Sequence, residues 1–562
     1  MKKIMNMKKS IILSFIAGAL LFSSCGDRLN ITPPNSLYDE IVTPLLTEGD
    51  EATIQAMVTA MVSNMVYYFN YTGIEGQGSD GRTNSFQGLD WIRTIQGNDV
   101  VLGYNDDADY FAGKNEYDFS TPYTSSMYSA PYWFGYAAGI NAANKNLNTL
   151  TAEAVGDVAL NQDGRARGLL IRAFSYLSLM ENFQDAYTNG GADKLGISWY
   201  DKYDPKQTPV ARSSAKETYE KILADINEAI TLLEKAGVGY TDGYENMEDF
   251  DLGVANFLLA RASLEFGDYS TAIKACNDII SSGKYGFIAE ANYGGKNTGA
   301  DWTGANVEFL PETNAFVAMS VNPEVILGYS RKSSYLATVA FSSFANPFGT
   351  GLTRKGFARV DDRLYNQINA DDFRKDLFYT SVIGDYTNST PSTIYVPDWC
   401  GLKYATTAGL TDDGTGHQID ASNAPDKAKV GANEYCKFRL SEVYLMLAEA
   451  QNLNNDPTGA IATINTLLAK RTRTGKAPLT FATYGAGTDL TKFIQLQWRI
   501  EMWCEGAREY YNNKRWGIDV DRTTSATHVT KNTRSWQKLT LELPDRELQD
   551  NPNTTPNGIS GD

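Results

Sequence analysis

The feature that most constrains this chain is a pair of apolar stripes at residues 254–283. Ala255, Leu258, Leu259, Ala262 and Phe266 follow one another at the three-and-four spacing that gathers side chains on one face of an α-helix. Gly267-Asp268-Tyr269-Ser270 interrupts the pattern. A second stripe, Ala272, Cys276, Ile279 and Ile280, then runs to Ser282-Gly283. A glycine ending one helix and an aspartate opening the next is the grammar of an antiparallel helical hairpin. The small residues Ala255, Ala262 and Ala272 let its two helices approach closely.

This unit resembles a tetratricopeptide repeat, and the grammar recurs. Arg165 to Tyr187 reads as a long first helix, with Leu169, Ala173, Tyr176 and Leu177 on one face. Its partner, Ala215 to Leu233, arrives after a loop containing Pro205 and Pro209. Residues 436–470 repeat the pair: Cys436, Leu440, Val443, Tyr444 and Leu447, a break at Asn454 to Pro457, then Ala460, Ile464, Leu467 and Leu468. Leu496, Ile500, Trp503, Cys504 and Ala507 start a further helix. The expected fold is therefore mainly α, with about four tetratricopeptide-like pairs as scaffold. The units are not evenly spaced, so long insertions must hang between them.

Composition separates those insertions from the scaffold. Tyr67 to Tyr136 holds 17 aromatic residues among many Gly, Asn, Ser and Asp, about twice the density of the chain, which is 12% aromatic. Tyr285 to Phe357 holds twelve more, and Asp371 to Gly431 consists mostly of turn-forming residues. Long insertions in a folded protein are commonly functional, and a high aromatic content argues against disorder. The formal charge of −17 makes nucleic acid an unfavourable partner. With only two histidines, His417 and His528, there is little material for His-based metal or nucleophile chemistry.

The N-terminus reads as an address. Lys2, Lys3, Lys8 and Lys9 precede an apolar stretch, Ile11 to Phe22, which is too short to span a bilayer and suits a signal peptide. It ends in Leu21-Phe22-Ser23-Ser24-Cys25-Gly26, which resembles a bacterial lipoprotein cleavage site with Cys25 as the acylated new N-terminus. Four cysteines remain, Cys276, Cys400, Cys436 and Cys504. Three of these fall on the apolar stripes above, so buried free thiols are expected rather than disulfides.

Taken in order, these segments resemble the SusD/RagB family of outer-membrane nutrient-binding lipoproteins. The resemblance runs from the lipoprotein signal through Pro33-Pro34-Asn35-Ser36-Leu37-Tyr38, the helix at Ala137 to Leu147, and Arg172-Ala173-Phe174-Ser175-Tyr176. It continues with Phe438 to Ala450, Arg499-Ile500-Glu501, Glu505-Gly506-Ala507-Arg508, Arg515-Trp516-Gly517, and the closing Pro544, Glu547, Asn551, Pro552 and Asn557. The stretch from Glu505 to Trp516 carries one residue more than the family spacing, which a bulge or altered turn would absorb. The charged motif residues Arg439, Glu449, Glu501 and Arg508 are expected to serve the fold as ion pairs between helices.

The resemblance implies a signal peptide at 1–24, an N-terminal region at 25–240 and a C-terminal region at 241–562. It also implies a binding protein without catalytic activity, lipid-anchored on the exterior of the outer membrane. Such a protein captures oligosaccharide and hands it to a SusC-like TonB-dependent transporter; a peptide ligand is the alternative within the same architecture. A saccharide site needs aromatic faces for C–H groups, flanked by amides, carboxylates or guanidinium groups for hydroxyls. The first insertion offers Asp80, Arg82, Asn84, Trp91, Asn98, Tyr104 and Asn105, and the second offers Arg331, Tyr335 and Phe348. Trp91, between Leu89 and Ile92, also suits a core, and Trp302 and Trp399 are secondary candidates. No cofactor is expected. Asn105, Asp107, Asp109 and Glu116 have calcium-loop spacing, but Tyr110 stands where such a loop needs glycine. An enzyme acting through paired carboxylates and a ligand-free interaction scaffold are the remaining functional classes.

Overall fold

The fold was examined in a computed structural model, which describes residues 44–46, 48–70, 86–101, 129–241, 247–296, 298, 310–330, 358–381, 399–404, 434–528 and 530–557. Helices dominate. In chain order they are α1 (Glu51–Asn70), α2 (Phe86–Thr94), α3 (Ala130–Thr149), α4 (Ala159–Phe183), α5 (Ala215–Ala236), α6 (Leu252–Phe266) and α7 (Tyr269–Ser281). After these come α8 (Leu440–Leu453), α9 (Pro457–Ala469), α10 (Leu490–Glu501), α11 (Arg508–Trp516) and α12 (Asp545–Asp550). The pairs α4/α5, α6/α7 and α8/α9 pack as hairpins, and α1 and α3 lie against α4.

Local chemistry explains the boundaries. Ser214 caps α5 by accepting from the Glu217 amide, and Gly237 ends it in the left-handed conformation at φ 74°. Between α6 and α7, Gly267 turns the chain at φ 87° and Asp268 accepts from the Thr271 amide to start the next helix. Asp456 caps α9 in the same way, with Pro457 in its first turn, where no amide hydrogen is needed. The inward faces are fully covered: Leu258, Ala262, Ala272, Cys276 and Ile279 are all 0% exposed.

Two expectations are corrected. Cys436 does not sit on a helix. It lies on strand β8 (Glu434–Arg439), which pairs antiparallel with β4 (Val325–Ser330), and helix α8 begins only at Leu440. The stripe from Leu496 to Ala507 is not one helix either. Helix α10 stops at Glu501, and Cys504, Gly506 and Ala507 take positive φ values of 61°, 52° and 52° before α11 starts. This turn falls in the motif with the one-residue excess.

A charged web fills the centre. Glu501 accepts from Arg374 at 2.9 Å, Arg439 at 2.7 Å, Arg471 at 2.8 Å and the Tyr293 hydroxyl at 2.9 Å. Arg439 and Arg471 also reach Glu324, at 2.8 and 2.6 Å. Arg374 pairs with Asp372, and Arg439 and Lys403 both pair with Glu505. Four cations thus face four anions out of water. An unbalanced set would be untenable at this depth, because each buried ion must be compensated. The three arginines hold the Glu501 carboxyl well below its ordinary range despite burial, and Arg471 and Arg439 also lower that of Glu324. A second set, Arg508–Glu181, Arg261–Glu442, and Arg515 with Glu265 and Glu449, ties α4, α6, α8 and α11 together. The charged motif residues Arg439, Glu449, Glu501 and Arg508 are therefore ion-pair partners in the interior.

Cys276, Cys400, Cys436 and Cys504 are free and buried. Burial pushes all four thiols up, that of Cys504 to about 12.

Four outcomes are expected. Glu501→Gln should cost about 3–5 kcal/mol in chemical denaturation, the magnitude of breaking a buried pair. The half-exposed Glu228, paired with Arg165, should tolerate Gln within about 0.5 kcal/mol. Because the folded pKa of Glu501 is depressed, its contribution is present above the unfolded value of about 4.3 and is lost as pH falls below it. The acid limb of the stability profile should therefore be shallower in the Gln variant. Separately, the body from residue 26 onward should show no thiol reactive to an aromatic disulfide reagent while native, and four once unfolded.

Candidate functional site

The aromatic insertions join the scaffold at one small sheet. Its strands are β1 (Val100–Val101), β5 (Arg359–Val360), β6 (Phe378–Tyr379) and β7 (Cys400–Gly401), in the order β1-β5-β7-β6, all antiparallel. Register decides which ends coincide. Val101, Arg359, Cys400 and Tyr379 form one row across the sheet. The chain leaves β1 toward residue 102 on the same side from which it enters β5 through Ala358. It also leaves β7 toward residue 405 on that side. Thus the part of the first aromatic insertion beyond residue 101 starts beside the point where the second one ends. The part of the second insertion that carries Arg331, Tyr335 and Phe348 begins after Ser330, whose partner across β4 and β8 is Glu434.

The segment before β1 is held with all its backbone polar groups satisfied. The Gly97 amide donates to Thr94 and its carbonyl accepts from Arg522 at 2.9 Å. The amides of Asn98 and Asp99 donate to the two carboxylate oxygens of Glu509, at 2.6 and 3.1 Å. The Asn98 carbonyl accepts from His528 Nε2 at 2.7 Å, so that nitrogen carries the proton. The Asp99 carbonyl accepts from Trp503 Nε1 at 3.0 Å and from the Asp361 amide at 3.1 Å. Buried amides and carbonyls need such partners, and here most come from residues 499–528.

Electrostatics follow burial. Desolvation pushes the Asp99 carboxyl up to about 7 against the pull of Arg499, while that pairing keeps Arg499 protonated. Burial lowers the His528 imidazole despite the nearby Asp361 carboxylate, which favours its neutral form. Asp361 itself is held low by hydrogen bonds from His528 and Arg363 that outweigh its own burial.

The sequence candidates divide sharply. Trp91 is 6% exposed within the main core cluster, so its ring presents no open face. Asn98 is 7% exposed, and its amide is spent within the fold: Nδ2 donates to the Asp519 carbonyl at 3.2 Å and Oδ1 accepts from the Asp521 amide at 2.8 Å. These two positions serve packing and chain anchoring. Asp80, Arg82, Asn84, Tyr104, Asn105, Arg331, Tyr335, Phe348 and the lipidation site Cys25 lie outside the described residues, as do Trp302 and the calcium-spaced Asn105, Asp107, Asp109 and Glu116. Trp399 is half-buried at φ 63°, edge-on to Tyr365 with ring centroids 5.2 Å apart. Among the described residues no cluster of His, Cys, Asp or Glu could hold a metal ion, and no helix is long and apolar enough to cross a membrane. Glu509, Asp99 and His528 went unrecognised in the sequence because their partners are hundreds of residues away.

Comparison with known proteins agrees with this architecture. The model of the SusD family matches residues 402–557, and a model described as starch-binding and associating with the outer membrane matches residues 102–238. Among solved structures, a SusD superfamily protein from Bacteroides thetaiotaomicron superposes with a TM-score of 0.65 at 19% identity, covering 90% of this chain and 99% of its own. A SusD-like carbohydrate binding protein from Bacteroides vulgatus gives 0.62 at 18% identity, covering 89% and 97%. Surface glycan-binding protein A from Bacteroides fluxus gives 0.59 at 18% identity, covering 88% and 96%. No curated protein sequence matches significantly.

Asn98→Ala should lower stability by about 1–3 kcal/mol, since it strands a buried amide and carbonyl. Chemical denaturation measures this, and an unchanged midpoint would return Asn98 to the pool of ligand contacts.

Proposed function

From the premise that this chain is a member of the SusD-like family, we propose that it is a glycan-binding lipoprotein of the outer membrane. In this reading it captures oligosaccharide at the cell exterior and delivers it to a SusC-like TonB-dependent transporter. Cys25 carries the lipid anchor, and several acyl chains on one residue hold more firmly than the single chain that binds only marginally.

The observation that carries the reading is the juxtaposition at the four-stranded sheet. Val101, after which the later part of the first aromatic-rich insertion departs, pairs with Arg359, just after the second one ends. Residues from two sequence-distant, ring-rich segments are thereby rooted next to each other on a rigid helical body. Tyr104, Tyr335 and Phe348 would supply ring faces for sugar C–H groups. Asp80, Arg82, Asn84, Asn105 and Arg331 would supply hydroxyl partners. The protein acts by binding alone, and ligand leaves it unaltered. A flat, ring-based site gives modest affinity per sugar, which suits a protein that must release its cargo onward.

The test is affinity electrophoresis of the body from residue 26 onward through gels containing individual polysaccharides. At least one should retard it, with little dependence on salt, and Tyr104→Ala with Tyr335→Ala should weaken retardation about tenfold or more. Retardation by none, salt-sensitive binding of acidic or basic peptides instead, or steady release of new reducing ends would each overturn the reading.

A further inference from the structure

The clamp beneath β1 bears on ligand capture although none of its side chains is placed at the ligand. Residues 97–99 connect α2 to β1, after which residues 102–128 of the first insertion follow. Glu509 accepts from two consecutive backbone amides of this connector with one carboxylate. Its own orientation is set by Asn513, whose Nδ2 donates to Oε1 at 3.1 Å on the same helix, α11. The connector is shaped for it: a Cβ at position 97 would displace the Glu509 carboxylate, so Gly97 permits this close approach. The other grips act around the same point. His528 holds the Asn98 carbonyl, Trp503 and the Asp361 amide share the Asp99 carbonyl, and Arg499 holds the Asp99 carboxylate. Asp361 directly follows β5, so one knot fixes the bases of both β1 and β5.

We infer that Glu509 is a positioning residue for glycan binding, setting the departure of the first insertion relative to the second through the amides of Asn98 and Asp99. The inference rests on the glycan-binding reading and adds a residue that does not touch the ligand. If Glu509 is removed, two buried amides lose their acceptor and the short β1–β5 pair, two residues a side, loses its foundation. The points at Val101 and Arg359 from which the two insertions extend are then no longer fixed relative to each other. Such misplacement weakens binding without destroying the body, because the helical pairs and the web around Glu501 do not depend on Glu509.

The test compares Glu509→Ala, Glu509→Gln and Gly97→Ala with Leu467→Ala, a core truncation in α9 chosen as a stability control. Binding is read by retardation in the polysaccharide gel at a temperature where every variant is folded. Amide hydrogen exchange is read alongside at Val101 and at Asp361, whose amide donates to the Asp99 carbonyl. Glu509→Ala and Gly97→Ala should each lose about tenfold or more in affinity and exchange about tenfold faster at those two amides. Glu509→Gln, which keeps one oxygen acceptor, should fall between them and wild type. Leu467→Ala should match wild type in both readouts. Unchanged binding in Glu509→Ala and Gly97→Ala, unchanged exchange, or an equal loss in Leu467→Ala would overturn the inference. A wild-type chain that binds no polysaccharide would instead defeat the glycan reading, and the exchange data would then decide the clamp by themselves.

Discussion

The meeting of Arg374, Arg439 and Arg471 on the Glu501 carboxylate is the constraint around which the rest of the structure is arranged. Its members come from places the chain must bring together. Glu324 immediately precedes β4, Arg374 precedes β6, Lys403 follows β7, and Arg439 ends β8. Glu324 also accepts from the amide of Ser441 in the first turn of α8, where a negative charge complements the positive end of the helix dipole. Balanced charge makes the cluster tolerable, and its directional hydrogen bonds make it specific. An apolar core of equal volume would be comparably stable.

That web connects fold to function because the strands it secures are those that bracket the insertions. Helical hairpins alone would give a solenoid with no defined place for ring-bearing segments. Here two small sheets, anchored by buried ions on one side and by the 97–99 connector on the other, convert the scaffold into a mount. The two tasks are separated in the chain: residues that hold sit in the interior and pair with one another. Those offered for sugar sit in stretches rich in aromatic, Gly, Asn and Ser residues.

Much of the scaffold was legible in the sequence because its signals are local. The stripe from Ala255 to Phe266, the Gly267-Asp268 break and the stripe through Ile279 carry their own periodicity and caps. Cys436 misled because β8 is buried and runs directly into α8, so Glu-Tyr-Cys-Lys-Phe-Arg reads as a continuation of the helical stripe. The break at Met502 to Ala507 was hidden because Cys504 and Ala507 take left-handed conformations that neither residue favours. Tertiary contacts around Lys403, Trp503 and Glu505 impose them. Asn98 looked like a ligand group because an asparagine in a polar insertion suggests a loop. Its partners, Asp519 and Asp521, are separated from it by almost the whole chain, and no local pattern announces them. Charged pairs such as Arg508–Glu181 were foreseeable as structural, since charges within helical motifs must find partners when buried.

The central claim, that two ring-rich insertions rooted side by side grip a saccharide, is tested most directly by covalent footprinting of the body from residue 26 onward. Labelling would be compared with and without a retarding oligosaccharide and read by peptide mass spectrometry. The account predicts protection concentrated in residues 80–84, 102–128 and 331–357, with the outer faces of α4 to α9 unchanged. Protection confined to the helical pairs, or none at saturating oligosaccharide, would contradict it.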